Sequence, residues 1–148
     1  VTYVTETGAI EVLPKEKLKW GYRRSSFQHQ KGAIAAARFK LEPSKDARSK
    51  QLKIIDYRTK TQPNSEMSAG CIFRNASTSS AGALIEKSGL KGYSIGGATV
   101  SSMHANFIVN NGGATAQDVL MLAEHVQRMV KEKTGIDLEM EVRVIPYA

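Results

Sequence analysis

A chain of 148 residues with 41% hydrophobic content has the length of one domain or one and a half, with enough apolar side chain for a true core. Twenty-one lysines and arginines against fourteen carboxylates give a formal charge of +7, a field that favours anionic partners without choosing among them. The basic residues are dispersed without interleaved aromatics, no apolar run approaches the roughly 20 residues that span a bilayer, and one cysteine cannot form an internal disulfide. The expectations are therefore no nucleic-acid partner, no membrane partner and a compartment that keeps Cys71 a thiol. Starting at Val1 without a charged and apolar leader, the chain reads as processed or as a piece of something longer.

Short β-type runs at 1–5 and 9–13 flank Gly8 and predict a hairpin, and Pro14 opens a helical turn through Leu18 that Gly21 is placed to end. After the segment 22–27, residues 33–41 read as a small-residue strand stopped by Pro43. Ser44 is a candidate N-cap for a helix with widely spaced apolar positions Ala47, Leu52, Ile55 and Tyr57, ending before Gln62-Pro63. A loop at 64–68 leads into Ser68-Ala69-Gly70-Cys71-Ile72-Phe73-Arg74-Asn75, itself read as a loop, and a second polar stretch runs to Ser80.

Residues 81–87 predict a short helix with Gly89 as its left-handed terminal residue, and Gly92, Gly96 and Gly97 punctuate short strands built on Val100 and 107–109. The clearest element is a helix over 115–134. Thr115 and Asp118 have capping-box spacing, Val119, Leu122, Ala123, Val126, Met129 and Val130 form one buried face, and Gly135 closes it. Alternation of Leu138, Met140, Val142 and Val144 with Glu139, Glu141 and Arg143 then predicts a half-buried strand over 136–145. Strands and helices mix without a βαβ rhythm. The fold class is α+β: a small mixed or antiparallel sheet with helices packed on one face.

Cys71 is the first chemical candidate, because Ala69 and Gly70 leave a thiol there unshielded. Free cysteines are most often small buried hydrophobes, and the two readings stand level. Arg23, between Tyr22 and Ser25, offers a fork that can clamp a carboxylate, against the commoner reading of a solvated loop arginine. Glu141 taken alone reads as a strand glutamate facing water or pairing with a lysine. His29, His104 and His125 have no metal-ligand spacing, so no metal site is expected; His125 reads as structural or solvated, and His104 as able to reach a ligand. Neither a phosphate-cradling G-x-x-x-x-G-K-[ST] nor a dinucleotide G-x-G-x-x-G after a strand is present.

An ordered set of motifs joins these pieces. Gly21-Tyr22-Arg23 with Ser25 and Phe27, Ser68-Ala69-Gly70-Cys71 with Phe73 and Asn75, Ala81-Gly82 with Leu84-Ile85-Glu86, and Gly89-Leu90-Lys91-Gly92 come first. Ile95-Gly96-Gly97-Ala98, Val100-Ser101, His104-Ala105-Asn106-Phe107-Ile108-Val109-Asn110 and Leu138-Glu139 with Glu141-Val142-Arg143 follow. Together they cover nearly the whole chain, which resembles the carboxy-terminal half of the UDP-N-acetylenolpyruvoylglucosamine reductases of peptidoglycan precursor synthesis, also called UDP-N-acetylmuramate dehydrogenases.

The resemblance implies residues 1–42 as the tail of a flavin-binding domain's second lobe and 43–148 as the substrate-binding domain. It implies a flavoenzyme in which NADPH reduces FAD and a UDP-sugar enolpyruvate is reduced to UDP-N-acetylmuramate, in the cytoplasm or, in a plant or alga, the plastid. Cys71 falls on the proton-donor position, and Arg23 and Glu141 on the pair that stabilises the aci-carboxylate intermediate. Glu141 can bond the second carboxylate oxygen only when protonated, which requires burial to raise its pKa. Asn75 and His104 match substrate contacts and Tyr22 packs beside Arg23, while Thr61 holds the place where a basic residue is expected near the diphosphate, with Lys60 and Arg58 nearby but off register. The FAD site itself falls to an amino-terminal half outside these residues, which is then the implied protein partner, and no cofactor-binding residue is expected in this chain. Ala76 and Met140 stand where the family usually has proline, so both loops lose a fixed φ. The alternative is a truncated relative, without catalysis, acting as a binding or structural subunit of a larger assembly.

Overall fold

The computed structural model describes residues 1–145 and divides into two compact units, Val1–Lys45 and Asp46–Ala148. In the first, β1 (Thr2–Thr5) and β2 (Ile10–Val12) form the predicted antiparallel hairpin, with Thr2 opposite Val12 and Gly8 turning at φ 82°. The turn after Pro14 ends at Leu18 rather than at Gly21, which instead pairs with Arg24 across a two-stranded ribbon of β3 (Trp20–Gly21) and β4 (Arg24–Ser25). A 3₁₀ turn, Ser26–His29, follows, capped by Ser25.

The expected strand over 33–41 is shorter: β5 (Gly32–Ala36) pairs antiparallel with β1 and stops at Ala36, opposite Thr2, where the partner strand runs out. Gly32 is required at its start. A Cβ there would strike Val4 O and the Tyr3 hydroxyl, and its φ of 153° already excludes most side chains. Tyr3, packed on Phe27 with ring centroids 5.2 Å apart, is the one buried hydrophobic residue among the described residues of this unit.

In the second unit α1 (Ala47–Thr61) is capped at Asp46 by backbone alone, so Ser44 lies too early to serve, and the helix ends before Gln62-Pro63 as expected. Its widely spaced apolar residues bury nothing: Leu52, Ile55 and Tyr57 are all exposed. The core gathers instead around a four-stranded antiparallel sheet in the order β6 (Ser68–Cys71), β9 (Phe107–Asn110), β8 (Ala98–Val100), β7 (Ser94–Ile95). The Cys71 segment is thus the end of an edge strand and not a loop.

α3 (Ala116–Thr134) packs on β7 and β8, and α2 (Ala81–Lys87) packs against α3. Thr115 and Asp118 make the reciprocal capping box, at 3.1 Å and 2.9 Å, while Gly135 ends α3 and Gly89 follows α2, both at left-handed φ. Leu122, Ala123, Val126 and Val130 supply the buried stripe that the spacing predicts, closing on Ile72, Phe73, Ile85, Val100 and Leu138.

The strand expected over 136–145 does not form as such. Leu138 is buried and Met140 and Val142 lean on the core, but Val144 is exposed, and the segment finds a ladder partner only at residues 72–74. One bridge, Phe73 opposite Met140, is flanked by Glu141 N–H donating to Ile72 O (2.8 Å) and Arg74 N–H donating to Glu139 O (2.8 Å). Alternation without a neighbour of matching length gives a strand's burial without its hydrogen bonds. The α+β class with antiparallel sheets stands.

Candidate functional site

Two places carry the residues singled out in the sequence, one in each unit. In the first unit Tyr22 and Arg23 form the turn of the β3–β4 ribbon, with Arg23 at φ 58°. An arginine held in the left-handed region costs on the order of 1–2 kcal/mol, and such strain collects at functional positions. Its surroundings fix it: Gln28 Nε2 donates to Arg23 O (3.2 Å) while Gln28 Oε1 accepts from Ser25 N–H (3.2 Å). The guanidinium lies 5.9 Å from the Tyr22 ring centroid, within cation–π range, so the expected Tyr22–Arg23 packing is present.

In the second unit Cys71 ends β6, half-buried, opposite Phe107. The next residue, Ile72, accepts the Glu141 N–H, so two residues seventy apart in sequence become neighbours along adjoining backbones. Glu141 is half-buried as well. Arg74 reinforces the junction, its Nη1 bonding Glu139 Oε1 at 2.7 Å. The segment with Met140 in the proline position is therefore tied by two backbone bonds and an ion pair.

Asn75 is exposed, yet its side-chain oxygen accepts from Ala81 N–H at 3.0 Å and anchors the polar loop to the start of α2. His104 stands across that same turn of helix: a Cβ on Gly82 would lie 3.1 Å from its Cε1. Burial is the main cause that lowers the His104 pKa, with Lys91 adding to it and the ring's bond to its own backbone and Glu86 opposing. Its Nδ1 accepts from Asn106 N–H at 3.2 Å. His104 also lines a shallow groove with Thr61, Ser80, Gly82, Glu86 and Met103, bringing one of the three diphosphate-region residues beside it. Lys60 bonds Asp56 at 2.8 Å and Arg58 bonds Gln62 at 3.1 Å on the surface of α1.

His125 is neither free in solvent nor a simple surface residue: it stacks on Tyr93 at 4.4 Å and shares a hydrogen bond with Arg128. Among the described residues no group of three His, Cys, Asp or Glu is arranged to hold a metal. One polar residue that the sequence reading left without a role emerges here. Asn106, 3% exposed, clamps Phe73 through both ends of its carboxamide. An amide standing among apolar neighbours where a loop enters a strand was the available signal.

The antiparallel sheet edge that ends at Cys71 lies in an α+β domain of the kind found in a family of reductases. Residues 62–145, more than half of the chain, match the family model of UDP-N-acetylenolpyruvoylglucosamine reductase, C-terminal domain. The chain is 55% identical over 147 residues to the UDP-N-acetylenolpyruvoylglucosamine reductase of Protochlamydia amoebophila, covering 99% of this chain and 49% of that protein. It is 44% identical to the enzyme of the same name from Chlamydia trachomatis serovar L2, with 99% and 50% covered. The crystal structure of the Thermus caldophilus reductase of that name matches with a TM-score of 0.77 and 37% identity, over 98% of this chain and 52% of that one. The chain belongs to the UDP-N-acetylenolpyruvoylglucosamine reductase family, and it spans about half the length of the curated relatives it matches.

Proposed function

We propose that this chain is the substrate-side half of a flavin-dependent reductase that converts a UDP-sugar enolpyruvate to UDP-N-acetylmuramate in peptidoglycan precursor synthesis, with Cys71, Arg23 and Glu141 as its reacting residues. The observation that supports the reading is the Glu141 N–H to Ile72 O bond, which brings the backbone of residue 141 beside the strand that carries Cys71. The family resemblance implies FAD as cofactor and NADPH as reductant, with the FAD held mainly by the half of the relatives that this chain does not span. When bound there, the flavin would be the source of the hydride that the enolpyruvyl β-carbon takes up.

Everything else falls to these residues. As the β-carbon gains its bond, the π electrons move onto the α-carbon and into the attached carboxylate. Arg23 offers two parallel donors to that dianion. Glu141 shares with Arg23 the stabilisation of the developing aci-carboxylate, the role the family resemblance implies for it. Cys71 gives its proton to the α-carbon and is left as a thiolate, which water reprotonates. Asn75, His104 and Tyr22 contact the substrate. The proposed setting is the cytoplasm.

The experiment uses the full gene product containing this chain, loaded with FAD. Cys71→Ala should leave flavin reduction by NADPH intact and block flavin reoxidation by the enolpyruvyl sugar, while Cys71→Ser retains much of the turnover because a hydroxyl also delivers a proton. Equal loss of both half-reactions in Cys71→Ala removes the proton-donor role. A full-length product that binds no flavin and does not turn over removes the enzyme reading altogether.

A further inference from the structure

We propose that Asn106 is the positioning residue of this site: its carboxamide takes the place of a neighbouring strand at Phe73 and fixes the backbone that carries Cys71 and faces Glu141. The proposal rests on the catalytic reading above. β6 has its last register pair at Cys71 opposite Phe107, after an irregularity between Ser68 and Cys71. Beyond it β9 gives way to the loop 101–106, and Ile72 and Phe73 would be left without ladder partners on that side.

Asn106 meets both. Its backbone oxygen accepts from Ile72 N–H (2.9 Å), its Oδ1 accepts from Phe73 N–H (3.0 Å), and its Nδ2 donates to Phe73 O (2.8 Å). Asn106 is 3% exposed and Phe73 2%, so water has no access to replace those bonds. On the opposite edge of the same residues lie the bonds from Ile72 to Glu141 and from Arg74 to Glu139. Residues 72–74 therefore form a rib with the Asn106 amide on one side and the Glu141 segment on the other.

The clamp is itself pinned. Ser101 Oγ accepts from the backbone N–H of Met103 (3.2 Å) and of His104 (3.4 Å), and His104 Nδ1 accepts from Asn106 N–H. Asn106 acts through Phe73 and not on the reacting atoms. Its removal lets the rib slide, which changes the placement of Cys71 against Glu141 without touching the route by which flavin is reduced. A misplacement of about 1 Å at a reacting group costs on the order of 100-fold.

The test compares wild type, Asn106→Ala and Asn106→Asp in the full-length FAD-loaded protein by rapid mixing. Asn106→Asp keeps the side chain's size and its acceptor for Phe73 N–H but loses the donor to Phe73 O. Flavin reduction by NADPH is expected within about 2-fold of wild type, and reoxidation by the enolpyruvyl sugar about 10- to 100-fold slower, with kcat falling far more than KM changes. Unchanged reoxidation, a parallel fall in both half-reactions, or a change confined to KM overturns the positioning role. If Asn106→Ala does not fold, Asn106→Asp carries the comparison; failure of both to fold assigns Asn106 to the fold alone and also overturns the proposal. Wild type that cannot be reoxidised by the sugar sinks the catalytic reading itself, whereas active wild type with unaffected variants sinks only this inference.

Discussion

Glu141 and His104 illustrate how much of a residue's chemistry depends on where the backbone puts it. Glu141 reads in the sequence as one polar position in an alternating strand, yet the residue is half-buried and its N–H is committed to Ile72, next to Cys71. A hydrogen-bond donor at position 141 is kept in Glu141→Gln and lost in Glu141→Ala. Glu141→Ala is expected to lower kcat by about 100- to 1000-fold, with Glu141→Gln recovering part of the loss; equal rates for the two in steady-state assays would rule the donor role out. His104 has its pKa lowered chiefly by burial, so the unfolded chain takes up a proton more readily than the folded one. Above the ordinary value of 6.5 both states are neutral and nothing is lost. As pH falls from there through the lowered folded pKa, stability declines and then levels off. Urea midpoints measured from pH 8 to 5 should drop on acidification in wild type and drop less in His104→Gln; parallel profiles would exclude His104 as the cause.

Elements with complete local signals formed where their residues pointed. α3 combines Thr115, Asp118, a three-and-four apolar stripe and Gly135, each sufficient to bias the same helix, and all are used. The Thr115 bonds are the first causes that hold the Asp118 pKa below its ordinary 3.8. Thr115→Ala should lower unfolding stability by about 1 kcal/mol near neutral pH. Because a depressed carboxyl stabilises only while ionised, the wild-type advantage over Thr115→Ala should shrink as pH falls below 3.8, and a constant gap in thermal scans from pH 5 to 2 would refute the linkage. Elsewhere the local signal was incomplete. Residues 136–145 alternate correctly but lack a strand beside them, and Ser44 has the right chemistry two residues ahead of the helix's true cap at Asp46. The 68–75 segment reads as a loop because Ser, Ala and Gly dominate its start, and only pairing with β9 turns it into a strand.

At the scale of the molecule the two units differ sharply in how much they bury. In Val1–Lys45 the described residues bury Tyr3 alone, while Ile10, Val12, Phe39 and Leu41 are each more than 70% exposed. In the second unit a contiguous core runs from Ile72 to Leu138. Amide exchange of this chain by mass spectrometry should accordingly be fast through β2 and β5 and slowest in β8, β9 and the buried turns of α3. Equal protection of the two units would contradict that ranking. Read on its own, the sequence determined the α+β class, the hairpin, both well-capped helices and, through an ordered set of motifs, the family, because caps, glycine turns and periodicity act within a few residues of one another. Tertiary structure alone decided that Cys71 ends an edge strand, that Glu141 lies beside it and that Asn106 holds the rib between them. Those facts depend on which backbone groups find partners across the sheet, and no spacing along the chain encodes them.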